Sequence, residues 1–70
     1  MTDDYDLYAV LEVAPHARPA VIDAAFGVLR ESAARDMGDG AARTLALLNR
    51  AHAILADSVR RTAYDRDRSR

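Results

Sequence analysis

Asn49-Arg50-Ala51-His52-Ala53-Ile54-Leu55-Ala56-Asp57-Ser58-Val59-Arg60-Arg61-Thr62-Ala63-Tyr64-Asp65 is the stretch whose reading decides the fold. Together with Leu48 just ahead of it, Ala51, Ile54 and Leu55 fall three and four residues apart, which is the spacing of a helix with one apolar stripe. Asp57 breaks that stripe where a carboxylate can accept N–H bonds from a new helix. One helix therefore ends and another begins at a tight corner. The new helix spans 58 to about 66 and is polar apart from Val59, Ala63 and Tyr64. The tail Asp65-Arg66-Asp67-Arg68-Ser69-Arg70 alternates in charge and is expected to fray.

Working back from the corner, residues 41–56 form the helix that the corner ends. Leu45, Leu48, Ala51, Ile54 and Leu55, with Ala42 and His52 at the margin, face inward, while Arg43 and Arg50 point out. Before it, Asp36-Met37-Gly38-Asp39-Gly40 carries strong turn chemistry: two glycines able to take positive φ flank Asp39, which can cap the next helix. Residues 19–34 repeat Ile22, Ala25, Phe26, Leu29 and Ala33 at helical spacing, so a short connection joins two helices into an antiparallel hairpin. Pro19 suits the first helical position, but Arg18 is a poor cap, at a cost of about 0.5–2 kcal/mol. Gly27 in mid-helix costs roughly 1 kcal/mol against alanine, and close approach of another backbone is one reason to expect it there. Pro15 and Pro19 make the preceding segment an extended connection. Ahead of it, after the acidic lead of residues 1–4, a brief first helix runs over about 6–11 from Tyr5-Asp6, with Asp6 as its cap.

Seventy residues make a single domain, 1–70, and a core of this size supplies no more than about 3–5 kcal/mol of net stability. Cysteine is absent, which removes disulfides, thiolate metal sites and thiol nucleophiles. Alanine is abundant and strand formers are sparse, favouring an all-α domain over any sheet. No apolar run is long enough for a membrane span and the acidic start is unlike a signal peptide, so the expected location is the cytoplasm, away from membranes. The net charge of −1 is unevenly spread: residues 1–39 carry −5 and residues 40–70 carry +4.

Four helices around a central hairpin, with motifs in order along the chain, resemble the J domain, the DnaJ-type partner module of DnaK-type chaperone ATPases. Asp6-Leu7-Tyr8-Ala9-Val10-Leu11-Glu12-Val13 is similar to the family's opening Asp-x-Tyr-x-x-Leu-Gly-Val, with Glu12 where glycine is usual. Ile22, Ala25, Phe26 and Leu29 take the places of the second helix's Ile, Ala, Tyr and Leu. Leu45 and Leu48 stand where Phe and Ile are common, and His52 where Tyr is common. Asn49, Ala51, Leu55, Asp57, Arg61, Tyr64 and Asp65 match outright. The resemblance implies a small four-helix, J-domain-like fold.

The family's functional His-Pro-Asp tripeptide falls at Ala34-Arg35-Asp36, where only the aspartate remains. The positions of its basic helical face hold Asp23, Ala24, Gly27, Val28 and Ser32, and the connection after Ala34 is shorter than usual. Binding driven by complementary charge weakens when that charge is removed, so the chain is not expected to stimulate a DnaK-type ATPase in the usual way. The expectation is a J-like, non-enzymatic interaction module, a regulator or adaptor whose partner is a protein: a DnaK-type chaperone, another J protein or a second copy of the chain. The alternatives are an unconventional co-chaperone using Asp36, which otherwise reads as a turn residue, and a domain binding nucleic acid or an acidic surface through its fourth helix.

Candidate partner-binding residues are Val21, Ala24 and Val28, an outward apolar strip on the second helix, and Ala34, Arg35 and Asp36 at its end. Arg60, Arg61, Arg66, Arg68 and Arg70 make a candidate basic patch, but Asp57, Asp65 and Asp67 lie among them and disfavour nucleic acid. Arg61 and Asp65 are spaced to pair along the helix for a few tenths of a kcal/mol. His16 reads as a loop residue and His52 as a half-buried packing residue. Neither has a ligand partner three or four residues on, and no serine has a base nearby in sequence, so no catalytic, metal or cofactor site is expected.

Overall fold

The computed structural model describes residues 6–36, 38 and 40–68. Tyr5, Asp39 and Arg70, assigned above to the start of the first helix, a cap and the basic patch, lie outside the described residues, as do residues 1–4, Met37 and Ser69. Four helices follow in order: α1 (Leu7–Val10), α2 (Pro19–Arg35), α3 (Ala41–Leu55) and α4 (Ser58–Arg68). No helix among the described residues is long and apolar enough to cross a membrane.

Local chemistry sets most of the boundaries. Asp6 caps α1 by accepting a 3.0 Å hydrogen bond from the Tyr8 amide. Asp57 caps α4 in the same manner, taking the amides of Val59 at 2.9 Å and Arg60 at 3.2 Å. Pro19 opens α2 with no side-chain cap from Arg18. The N-cap of α3 is Gly40, which offers no side-chain oxygen.

Among the described residues, the one in the left-handed region lies elsewhere than the glycines suggested. No described glycine has positive φ; Glu12 does, at 57°. It follows the α1 C-cap Leu11 and lets the Glu12 amide bond to the Ala9 carbonyl and the Val13 amide to the Tyr8 carbonyl, both at 3.0 Å. This is a Schellman ending, for which glycine is the usual residue because a Cβ is strained there. The turn stops α1 after a single turn and sends the chain out towards Pro15.

α3 is the hub, packing against each of the other three helices. It runs antiparallel to α2: the two are joined at residues 36–40, and a dozen residues back from that turn Asp23 and Phe26 meet His52. The fully buried core comprises Leu7, Tyr8 and Leu11 from the α1 region, Ile22 and Ala33 from α2, and Leu48, Ala51 and Leu55 from α3. Phe26, Leu29, Leu45, Ile54 and Tyr64 pack around it. The short α1 thus seals as many residues into the core as the much longer α2, and its C-cap Leu11 adds a third.

Three further expectations fail. Residues 65–68 of the tail expected to fray are the last turn of α4, with Asp65 and Arg68 engaged on Tyr8. Ala42 is exposed, so it does not face α2. Nor does a backbone crowd Gly27: a Cβ built there meets nothing within 4 Å, which leaves its helix-propensity cost without any packing reason.

Candidate functional site

The fourth helix is tied to the first by a network that begins at Tyr8. This side chain is almost wholly buried, and its hydroxyl donates a 2.5 Å hydrogen bond to Asp65 while accepting one of 3.0 Å from Arg61 Nε. The rest of the Arg61 guanidinium reaches the connection before α2, donating from Nη2 to the carbonyls of Ala17 at 2.7 Å and Pro15 at 3.1 Å. Tyr64 returns the exchange by accepting the Leu7 amide on its hydroxyl at 2.9 Å. The rings of Tyr8 and Tyr64 lie 5.9 Å apart and tilted by 52°. Arg68 covers both rings and reaches Asp6 at 3.3 Å. Burial, then the bond to Asp65, raise the Tyr8 phenol above its usual value of 10.0, with Arg61 opposing.

This arrangement redistributes the expected basic patch. Arg61 and Arg68 are committed to α1 and its connection, and Arg60 stands 4.0 Å from Asp57. Arg66 lies exposed on another side of α4, beside Val59, Thr62 and Ala63. Arg61 and Asp65, expected to pair along the helix, meet instead at the Tyr8 hydroxyl. Tyr8 was visible in the sequence as part of a motif, but nothing local to it pointed to partners 53 and 57 residues away.

The outer side of α2 is differently built. Val21 keeps 48% and Val28 69% of its surface exposed, and Ala24 is exposed between them. Leu11, Glu12 and Val13 rise along one side, forming a shallow apolar groove whose floor is Val21, Ala24, Ala25, Val28 and Leu29. The strip predicted from periodicity is thus present and uncovered among the described residues.

Ala34, Arg35 and Asp36 end the same helix, all exposed. Arg35 lies 3.7 Å from Glu31. Asp36 is the C-cap residue of α2, and its carboxylate accepts the Gly38 amide at 2.9 Å. That is the hydrogen bond of an Asx turn, a local structural use for this aspartate.

One side-chain meeting was not foreseen as a site. His52 Nε2 lies 2.9 Å from Asp23 Oδ1, and its ring stacks on Phe26 with centroids 4.0 Å apart and planes 12° off parallel. With 31% of its side chain exposed, His52 is half-buried as expected. The pair clamps α2 to α3, since Asp23 and Phe26 are one helical turn apart. Among the described residues no group of three or more His, Asp or Glu is arranged to hold a metal ion.

No protein-family model, curated protein or solved structure matches the chain.

Proposed function

We propose that the chain is a J-like, non-enzymatic protein-interaction module that binds a protein partner through its helical hairpin and does not stimulate a DnaK-type ATPase in the usual way. The observation that carries this reading is a division of labour among residues. Those on which the J-domain resemblance rests have structural tasks: Tyr8, Leu11, Ile22, Leu48, Ala51 and Leu55 are sealed in the core, Asp57 caps α4, and Arg61, Tyr64 and Asp65 bind α4 to α1. Glu12 adopts positive φ at the position where the family has glycine. By contrast, exposed Ala34 and Arg35 stand where the tripeptide would need His and Pro, and exposed Ala24 and Val28 stand where the resemblance would require positive charge for ATPase stimulation. A preserved frame with an altered surface fits an adaptor or regulator better than an active co-chaperone.

An NMR titration of the labelled protein with an ATP-loaded DnaK-type chaperone, at low and moderate salt, tests this. Shifts on α2 without faster ATP hydrolysis are the expected result for a regulator of that system. No shifts at high chaperone concentration would leave an adaptor for another protein, and stimulated hydrolysis that disappears in Asp36→Ala would replace the proposal with the co-chaperone alternative. The nucleic-acid alternative has less support, because Arg61 and Arg68 are engaged within the fold. It calls for binding that falls steeply with salt.

A further inference from the structure

We infer that the outer face of α2 pairs with a second copy of itself, antiparallel, about a two-fold axis. The inference rests on the reading of the hairpin as an interaction surface and names its partner.

Arg18, Val21, Ala24, Ala25, Val28 and Glu31 lie on one side of α2 and its N-cap, since they are spaced by three and four residues. Their order is self-complementary when reversed. In the register that sets Val21 against Val28 of the second copy, the axis passes between Ala24 and Ala25, and Arg18 falls opposite Glu31 of the second copy. A two-fold contact needs this property: each patch must accept its own image. Two apolar knobs about 10 Å apart flank a centre of alanines, where two backbones can approach. Opposite charges close both ends.

The surroundings suit this occupant. Val28, the more exposed knob, would enter the groove beside Val21 and Val13 of the second copy. Arg18 has no ion-pair partner among the described residues, and the hold of Glu31 on Arg35 is a long, exposed one of 3.7 Å that can be exchanged at little cost. Glu12 is charged at the groove's rim, but along α2 itself no like charges face each other in the antiparallel register. About three helical turns bury less than the roughly 1,000 Å² of a tight interface, so association is weak, in the range of about 0.1–1 mM.

Sedimentation equilibrium and an NMR dilution series on the full chain at low salt test the register. The protein is expected to dimerise, with concentration-dependent shifts at Val21, Ala24, Ala25 and Val28. Arg18→Glu and Glu31→Arg should each weaken the dimer by about tenfold, by opposing like charges. The double variant should recover to within about threefold, and Val28→Glu should abolish association while leaving the helical circular dichroism unchanged. A chain that stays monomeric up to millimolar concentration overturns the inference. So does a dimer indifferent to Val28→Glu, or a double charge variant that fails to recover. Chaperone binding by a strictly monomeric chain would sink the dimer alone and leave the interaction module standing.

Discussion

The α1–α4 seam and the outer face of α2 are both helical surfaces of the same small domain, yet they are built by opposite rules. The seam gathers two tyrosines, two arginines and two aspartates into mutual hydrogen bonds and ring contacts. The outer face of α2 presents valine and alanine, with charges only at its ends. Polar groups with several fixed partners specify one geometry, whereas small apolar side chains specify little until something covers them. The seam is therefore the part that makes α4 belong to the fold, and the α2 face is the part free to meet another molecule. Substitutions in the first should cost stability, and those in the second should change association alone.

The strongest way to break this contrast is Arg61→Met, which removes the guanidinium from Tyr8, Pro15 and Ala17 at once. A loss of about 2–3 kcal/mol is expected, because a buried hydroxyl and two carbonyls lose a charged donor. For a core worth only about 3–5 kcal/mol this leaves a large unfolded fraction, readable in urea or thermal denaturation. Val28→Glu on the exposed face should stay within about 0.5 kcal/mol of the parent protein. Equal effects from the two would dissolve the distinction.

A smaller loss should follow from alkali alone. The folded-state phenol of Tyr8 is raised, so above the unfolded value near 10 the unfolded chain releases a proton that the folded chain keeps. The contribution of Tyr8 is thus fully present below about pH 10 and is lost as pH rises through the folded value. Stability curves at pH 8 and pH 11 should diverge for the parent protein. In Tyr8→Phe, which is less stable throughout, this part of the alkaline slope should vanish.

How much of this could be read from the sequence depends on how far each interaction reaches. The capping roles of Asp6 and Asp57, Pro19 at the first position of α2 and the valine strip all follow from neighbours within one or two turns, so spacing reveals them. Tyr8 with Asp65, and His52 with Asp23, join positions 57 and 29 residues apart through side-chain placement that no local pattern encodes. Glu12 is a third kind of case. Its side chain has no preference for positive φ, and the signal lay only in the resemblance, which put glycine at that position. The glycines at 38 and 40 drew attention to the wrong loop. Glu12→Gly should accordingly raise stability by about 1 kcal/mol by releasing the strained Cβ, measured by denaturant midpoint at constant slope.

Gly27→Ala gives the finest test, because it acts on the loosely specified side of the comparison without touching the proposed contact. Gly27 sits in the middle of α2, and a methyl group added there meets no heavy atom within 4 Å. Helix propensity then acts alone, and the substitution should stabilise the fold by about 0.5–1 kcal/mol. At 100° per residue Gly27 lies nearly a third of a turn from the line joining Val21 and Val28, so the dimer constant should move by less than about twofold. A stabilised chain with unchanged association would place the approach of the second copy on the valine strip. A stabilised chain that no longer associates would move the contact around the helix onto Gly27 itself, and the glycine would then have the close-approach role that nothing within the monomer provides.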